Sequence, residues 1–495
     1  MTTVFHVIGG VEYPGTSDRT APVYDPALGV ETKRVVLADA ADINHAVNTA
    51  VRAQAEWQAQ SLARRQQVIF RFRELLNEKK SELAEIITAE HGKVLSDALG
   101  EITRGQEVVE FACGAPHLLK GDFSENASTS VDVYSTKQPV GVVAIISPFN
   151  FPAMVPMWFF PIAIAAGNSV ILKPSEKDPS AANWLANLWK EAGLPDGVFN
   201  VLHGDKVAVD GLLNHPEVAA ISFVGSTPIA QYIYETAAQN GKRVQALGGA
   251  KNHMLVLPDA DVNLVADSAV NAGFGSAGER CMAISVVLAV EPVADELIEK
   301  IRERLSGIVV GDGRRSCDMG PLVTREHRDK VASYIDVAQA DGATVVVDGR
   351  EVNPDGDERG FWLGPTLLDR VPISSRAYTE EIFGPILSVV RVKTFQEGLD
   401  LINSGQFGNG TALFTNDGGA ARRFQSEVKV GMIGINVPIP VPVAYFSFGG
   451  WKKSLFGDSR AHGEEGFRFF TQTKVVTSRW LDPSHGGLNL GFPQN

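Results

Sequence analysis

Four short apolar runs, GVVAIIS (141–147), NSVILK (168–173), GVFNVL (197–202) and VAAISFV (218–224), follow one another at intervals that each hold a helix-forming stretch. The runs are partly β-branched, and the stretches between and after them (152–166, 179–192, 205–213 and 227–239) carry helical apolar spacing. Strands that alternate with crossover-length helices predict a parallel sheet with both faces covered. A second series follows, with strands at NHMLVL (252–257), SVVLAV (285–290), ATVVVDG (343–349) and LSVVRV (387–392) and helices at 293–306 and 325–340. It predicts a second α/β unit, with the boundary near 247–250. Residues 40–120, ahead of both, repeat apolar positions at three and four and read as helical.

Two polar, alternating segments fit neither series: STSVDVYSTKQPV (128–140) and TQTKVVTSRW (471–480). They read either as surface hairpins or as an arm that pairs with another subunit. A chain of 495 residues exceeds one ordinary core, so two or three domains are expected.

A net charge of −13 provides no basic surplus to neutralise phosphates and argues against a nucleic-acid partner. No apolar run reaches membrane-spanning length and the N-terminus has no leader pattern, so a cytoplasmic protein without a membrane partner is expected. Cys113, Cys281 and Cys317 are too few and too scattered for a disulfide framework, and the ten histidines form no metal-binding spacing. Each thiol is then a small core residue or a nucleophile.

The segment NAGFGSAGERCMAIS (271–285) contains a literal G-x-G-x-x-G at Gly273–Gly278. A dinucleotide loop needs a strand before it and a helix after it, and this one has the reverse. Better cofactor loops lie in the first series. ILKPSEKDPSAA ends a strand at Lys173 and places Glu176 beyond the carboxyl edge of a sheet, where a glutamate can accept both hydroxyls of a ribose and repel a 2′-phosphate. SFVGSTPIAQYIY runs from a strand through Gly225 and Ser226 into a helix opened by Pro228, whose first N–H groups can hold a phosphate. Either loop alone reads equally well as a plain turn.

If Cys281 is the nucleophile, it needs a neighbour that lowers its pKa and donors for an oxyanion. Arg280 stands beside it. Asn150, between two aromatics in SPFNFPAMVPMW, is either a turn-forming or capping residue or a neutral donor to a carbonyl oxygen.

Taken together, FGSAGERC, SPFNFP, LKPSE and EEIFGPI (380–386) resemble, in order and through nearly the whole chain, the motifs of the aldehyde dehydrogenases. The resemblance implies an α/β chain with a Rossmann-type cofactor domain (1–127 and 141–247), an α/β catalytic domain (248–470) and a small β oligomerisation arm (128–140 and 471–487) that builds a homo-oligomer, dimer or tetramer. It implies that Cys281 attacks an aldehyde, that Asn150 and the Cys281 N–H hold the oxyanion, and that a hydride passes to NAD. Phe149, Lys173, Glu176, Gly225, Ser226 and Glu381 would bind that cofactor.

One departure narrows the implied function. Hydrolytic members carry a glutamate in E-L-G-G-K, whereas this chain reads QALGGAKNH. The glutamate's place falls on Leu247 when aligned on Lys251 and on Ala246 when aligned on the glycines. Neither side chain can activate water, so the thioester awaits a better nucleophile. GAKNH, GERCMA and the ending from INVPIPVPVAYF onward resemble a branch that passes its acyl group to coenzyme A and oxidises carboxylated semialdehydes. That branch implies a small semialdehyde substrate, with Arg104 and Arg280 holding its carboxylate, and loss of CO2 to give acetyl-CoA or propionyl-CoA. Leu247 and Glu279, where the branch more often has asparagine and glutamine, depart from its pattern.

Overall fold

A computed structural model of the chain describes residues 2–480. Among these residues no helix is long and apolar enough to cross a membrane. The first 36 residues, given no strands by the sequence reading, form five. Thr2–Val4, Val30–Val36 and Thr20–Asp25 make a three-stranded sheet, while His6–Ile8 and Val11–Tyr13 form a hairpin at the edge of a larger one. These strands are short, and all but His6–Ile8 carry exposed residues, so they show little of the apolar run that marks a buried strand.

Helices Ala40–Gln58, Leu62–His91 and Leu95–Cys113 follow, as the spacing predicts. The first is opened by a reciprocal cap in which Asp39 accepts from the N–H of Ala41 and Asp42, and Asp42 accepts from the N–H of Asp39. The second stops at Gly92, whose φ of 93° lies in the left-handed region that glycine tolerates. Phe72 of that helix stacks on Trp189 at 3.8 Å between ring centroids, tying the helical layer to the first sheet's own helices.

The first large sheet has eight strands, in the order Leu455–Phe456, Arg243–Leu247, Val218–Val224, Val142–Ile146, Ser169–Lys173, Phe199–Val201, His6–Ile8 and Val11–Tyr13. Its five central strands are parallel. From Val142–Ile146 the chain winds outward through Ser169–Lys173 to Phe199–Val201, then returns to the other side at Val218–Val224. The winding therefore reverses between Val142–Ile146 and Val218–Val224, and the crevice beyond the carboxyl ends at such a reversal is where open α/β sheets take ligands. The helix after the first of these strands, Met154–Ala166, is buried along its whole length. Each large apolar side chain in it contributes about 1.5–3 kcal/mol of burial, so the loop at 147–153 hangs from a rigid element.

The second sheet has seven strands, Thr344–Val347, Thr366–Asp369, Ile386–Val392, Ile284–Val290, Asn252–Val256, Gly410–Phe414 and Met432–Ile435, parallel except for the first. The sequence reading omitted Thr366–Asp369, Gly410–Phe414 and Met432–Ile435. A third sheet pairs Thr471–Arg479 with Val131–Pro139 and that strand with Phe123–Ser128, all antiparallel. It leaves Phe123, Tyr134 and Val475 exposed. The expected arm also included residues 481–487, which lie outside the described residues.

The two large sheets contribute opposite strand ends to the site. Asn150, Lys173 and Gly225 lie beyond the carboxyl ends of strands in the first sheet, whereas Asn252, Cys281 and Glu381 lie at or just before the amino ends of strands in the second.

Candidate active site

Cys281 is reached from helix Val262–Phe274 through three consecutive residues with left-handed backbone: Ser276 (φ 53°), Ala277 (φ 52°) and Gly278 (φ 72°). A Cβ on Gly278 would stand 2.3 Å from the carbonyl oxygen of Gly384. The glycines of the G-x-G-x-x-G therefore serve a close passage of two backbones ahead of the sulfur, and a strand, Ile284–Val290, follows them. Two asparagines fix the loop from behind. The amides of Asn252 and Asn409 both donate to the Cys281 carbonyl, at 3.0 and 3.1 Å. Asn252 belongs to the GAKNH segment, which gives that motif a structural purpose.

Burial pushes the Cys281 thiol up to about 12, the nearby Glu381 carboxylate adds to the rise, and Arg280 opposes it. The free enzyme should therefore hold an unreactive thiol. Alkylation of Cys281 by iodoacetamide, followed against pH without cofactor, is expected to be slow at neutral pH and still climbing at about pH 10. A plateau reached below pH 8 would contradict this.

Asn150 is held at both ends. Its side-chain amide donates to the Glu279 carbonyl at 3.1 Å, and its own carbonyl accepts from Lys93 Nζ at 2.6 Å. Lys93 also pairs with Glu101 at 2.6 Å, both side chains being fully buried. Glu101 in turn accepts from the N–H groups of Ala153 and Met154, at 2.9 and 3.1 Å, where the buried helix begins. A carboxylate at a helix amino end is favourable, and here it also carries the cation that grips the asparagine. Sequence reasoning missed Lys93 and Glu101, because charges near a helix end read as solvated.

A cleft of about 480 Å³ opens at the reversal of the first sheet and faces the amino edge of the second. Its walls include Phe149, Asn150, Lys173, Glu176, Gly225, Ser226, Cys281 and Glu381, so the residues expected around a dinucleotide share one space. Several features fit that group. Lys173 Nζ is buried and lies 3.5 Å from Glu176, leaving the carboxylate at the rim. A Cβ on Gly225 would meet the Phe223 ring at 2.5 Å. Ser226 precedes helix Thr227–Gln239 without a side-chain cap, so N–H groups at that helix start remain available to an anion. Glu381 accepts from the Ala250 N–H at 2.8 Å, and burial pushes its carboxyl up to about 7. Phe383, of the EEIFGPI segment, also lines the cleft, as do His327 and Lys330, which no sequence signal singled out.

On its other side Cys281 lines a second cavity, of about 430 Å³, walled by Phe151, Trp158, Met282 and Phe448 and carrying Arg104 and Arg280. Arg280 is paired with Asp97 at 2.7 Å. Arg104 is paired with Glu107 at 2.8 Å and donates to the Pro442 carbonyl at 3.1 Å. The thiol thus stands between a polar-rimmed cleft and an apolar pocket that holds two guanidinium groups.

No carboxylate occupies either candidate place for the hydrolytic base. Leu247 is buried in the same apolar cluster as Met282 and Phe448, while Ala246 points to the opposite face of the strand and joins a different cluster.

The family model for the aldehyde dehydrogenase family matches residues 13–476. The chain belongs to that family. It is 52% identical to the malonate-semialdehyde dehydrogenase of Pseudomonas aeruginosa, with both chains covered in full. It is 47% identical to that of Halalkalibacterium halodurans, over 96% of this chain and 97% of the relative. Among solved structures, it superposes on methylmalonate-semialdehyde dehydrogenase from Oceanimonas doudoroffii with a TM-score of 0.96 and 51% identity, covering 98% of this chain and 99% of that one. A provisionally named methylmalonate-semialdehyde dehydrogenase from Sinorhizobium meliloti 1021, solved with NAD, gives the same score and identity over 97% and 99%.

Proposed function

We propose that the chain is an NAD-dependent, CoA-acylating dehydrogenase of malonate or methylmalonate semialdehyde. The observation that carries this reading is the position of Cys281 between the cofactor cleft and an arginine-bearing pocket, with no carboxylate at 246 or 247.

The pocket receives the semialdehyde, with Arg104 and Arg280 presented to its carboxylate; a guanidinium exchanges one carboxylate partner for another with little change in geometry. Cys281, as thiolate, attacks the aldehyde carbon, and the Asn150 amide and the Cys281 N–H stabilise the oxygen that becomes negative. NAD, held by Phe149, Lys173, Glu176, Gly225, Ser226 and Glu381, supplies the hydride acceptor. Loss of the hydride leaves a thioester on Cys281. The thiolate of coenzyme A then displaces the enzyme sulfur. The carboxylate β to the thioester carbonyl leaves as CO2, its electron pair passing into an enolate that takes a proton from water at the α-carbon, so malonate semialdehyde yields acetyl-CoA and methylmalonate semialdehyde yields propionyl-CoA.

We read residues 1–127 and 141–247 as the cofactor domain, 248–470 as the catalytic domain, and 128–140 with 471–487 as strands that pair subunits of a cytoplasmic homo-oligomer. The exposed Phe123, Tyr134 and Val475 support the pairing role.

A hydrolytic reading has one observation in its favour: Glu381, beside the thiol, has a carboxyl poised at about 7, suited to a general base. Product analysis separates the two. With malonate semialdehyde, NAD and CoA present, acyl-CoA and CO2 should form in equal amounts with NADH; a free dicarboxylic or carboxylic acid as main product would establish hydrolysis.

A further inference from the structure

Two residues before the thiol, Glu279 is fully buried without a conventional counter-ion. Among the described residues, only two imidazoles come within ion-pair range: His327 Nε2 at 3.5 Å from Oε1 and His91 Nε2 at 3.7 Å from Oε2. The Val323 N–H donates to Oε1 at 3.4 Å, while Oε2 has no hydrogen-bond partner. His327 Nε2 lies 2.7 Å from the Phe383 carbonyl, which can only accept, so that nitrogen carries a proton. Both nitrogens of His91 are buried without a hydrogen-bond partner, and its Nε2 faces Oε2. Phe149 roofs the group, with ring centroids 6.0 Å from His91 and 6.2 Å from His327. Lys93 and Lys177 are the nearest ammonium groups that act on Glu279, but Lys93 is committed to Glu101 and Asn150 and Lys177 sits over the Phe149 ring. Arg280, its chain neighbour, is bound to Asp97.

A carboxylate so enclosed would carry a large desolvation cost, whereas a carboxylic acid has a donor directed at His91 and an acceptor directed at Val323. The Glu279 backbone carbonyl, moreover, is the group that holds the Asn150 amide. We propose that Glu279 is a positioning residue for acylation: as a neutral acid between His91 and His327 it leaves its backbone carbonyl seated on the Asn150 amide, and mildly alkaline solution converts it into an unpaired buried carboxylate that loosens that hold on Asn150. Burial pushes its carboxyl up to about 8, which sets the pH at which the change occurs.

The inference rests on Cys281 being the acylated thiol, so it is tested in two arms. The first follows the rapid burst of NADH from malonate semialdehyde against pH in the native enzyme and in Glu279→Gln. Glu381 also titrates in this range, so the difference between the two profiles is the readout. The native burst should fall away above about pH 8. The variant should keep rising and exceed the native rate roughly tenfold at about pH 9.5, because its side chain stays neutral behind the carbonyl that holds Asn150. Identical alkaline limbs in both proteins would overturn the proposal. The same variant reports on folding: the native fold retains a proton that the unfolded chain has released, so native stability declines with pH between about 4.3 and about 8. The melting-temperature advantage of Glu279→Gln should therefore widen across that window and stay constant above it.

The second arm needs no substrate. In Glu381→Gln enzyme carrying 13C-labelled glutamate, the infrared stretch of a protonated glutamate should be present at pH 7 and lost by about pH 9.5. Absence of that band at pH 7 would refute the neutral acid whatever the reaction proves to be. A failed burst with the band present would instead count against the acylation chemistry.

Discussion

Replacing Cys281 with serine is expected to reduce NADH formation at least about 10³-fold, equivalent to 4 kcal/mol or more of lost transition-state stabilisation at about 1.36 kcal/mol per decade. A serine hydroxyl is far less acidic and less nucleophilic than a thiol. Glu381 raises the energy of any anion at that position, and burial does the same. Cys113, buried in helix Leu95–Cys113, and Cys317, whose sulfur donates to the Asp312 carbonyl at 3.3 Å, serve as controls, and serine at either should leave the burst within about twofold of native. Stopped-flow NADH absorbance decides the matter. A serine enzyme that reduces NAD at the native rate would remove the thioester from the mechanism.

Lys93→Met is expected to affect both stability and activity. It leaves Glu101 buried without its cation, which costs about 3–5 kcal/mol, and it releases the Asn150 carbonyl. Loss of one preorganised oxyanion donor lowers turnover by about 10²–10³-fold, and a loosened Asn150 should approach that figure. The double change Lys93→Met with Glu101→Gln discriminates the two effects. A neutral amide removes the uncompensated charge and still accepts from the Ala153 and Met154 N–H groups, so the unfolding midpoint should largely recover while the burst remains slow, the grip on Asn150 still being absent. Chemical denaturation and burst kinetics on the same samples measure both. Full activity in the double variant would show that the Lys93 contact to Asn150 is incidental.

Much of this architecture was legible in the chain because parallel strands buried on both faces carry no polar interruption: VAAISFV is the strand Val218–Val224, and the helix expected at 325–340 spans Arg325–Ala340. Strands of three residues near the N-terminus were not legible, since HVI, though buried, and VEY are too short to show a period that distinguishes strand from loop. The glycine-rich segment has the order read from the sequence, helix first and strand second. At the site, residues proposed to meet the ligands lie in motifs, whereas some that hold them in place do not. Lys93 and Glu101 act through backbone carbonyls and N–H groups many residues away, and such partners leave no periodicity or spacing behind. The Arg280–Asp97 pair belongs to the same class: the arginine was evident beside the cysteine, but its partner lies 183 positions earlier.

The lifetime of the acyl group on Cys281 is the most direct test of the whole account. Enzyme mixed with NAD and one equivalent of malonate semialdehyde, without CoA, is quenched at intervals and its Cys281 peptide weighed by mass spectrometry. The account predicts an acylated cysteine that persists while NADH has already formed, and that clears at once when CoA is added. An adduct that decays equally fast with and without CoA, or an unmodified peptide alongside full NADH, would contradict it.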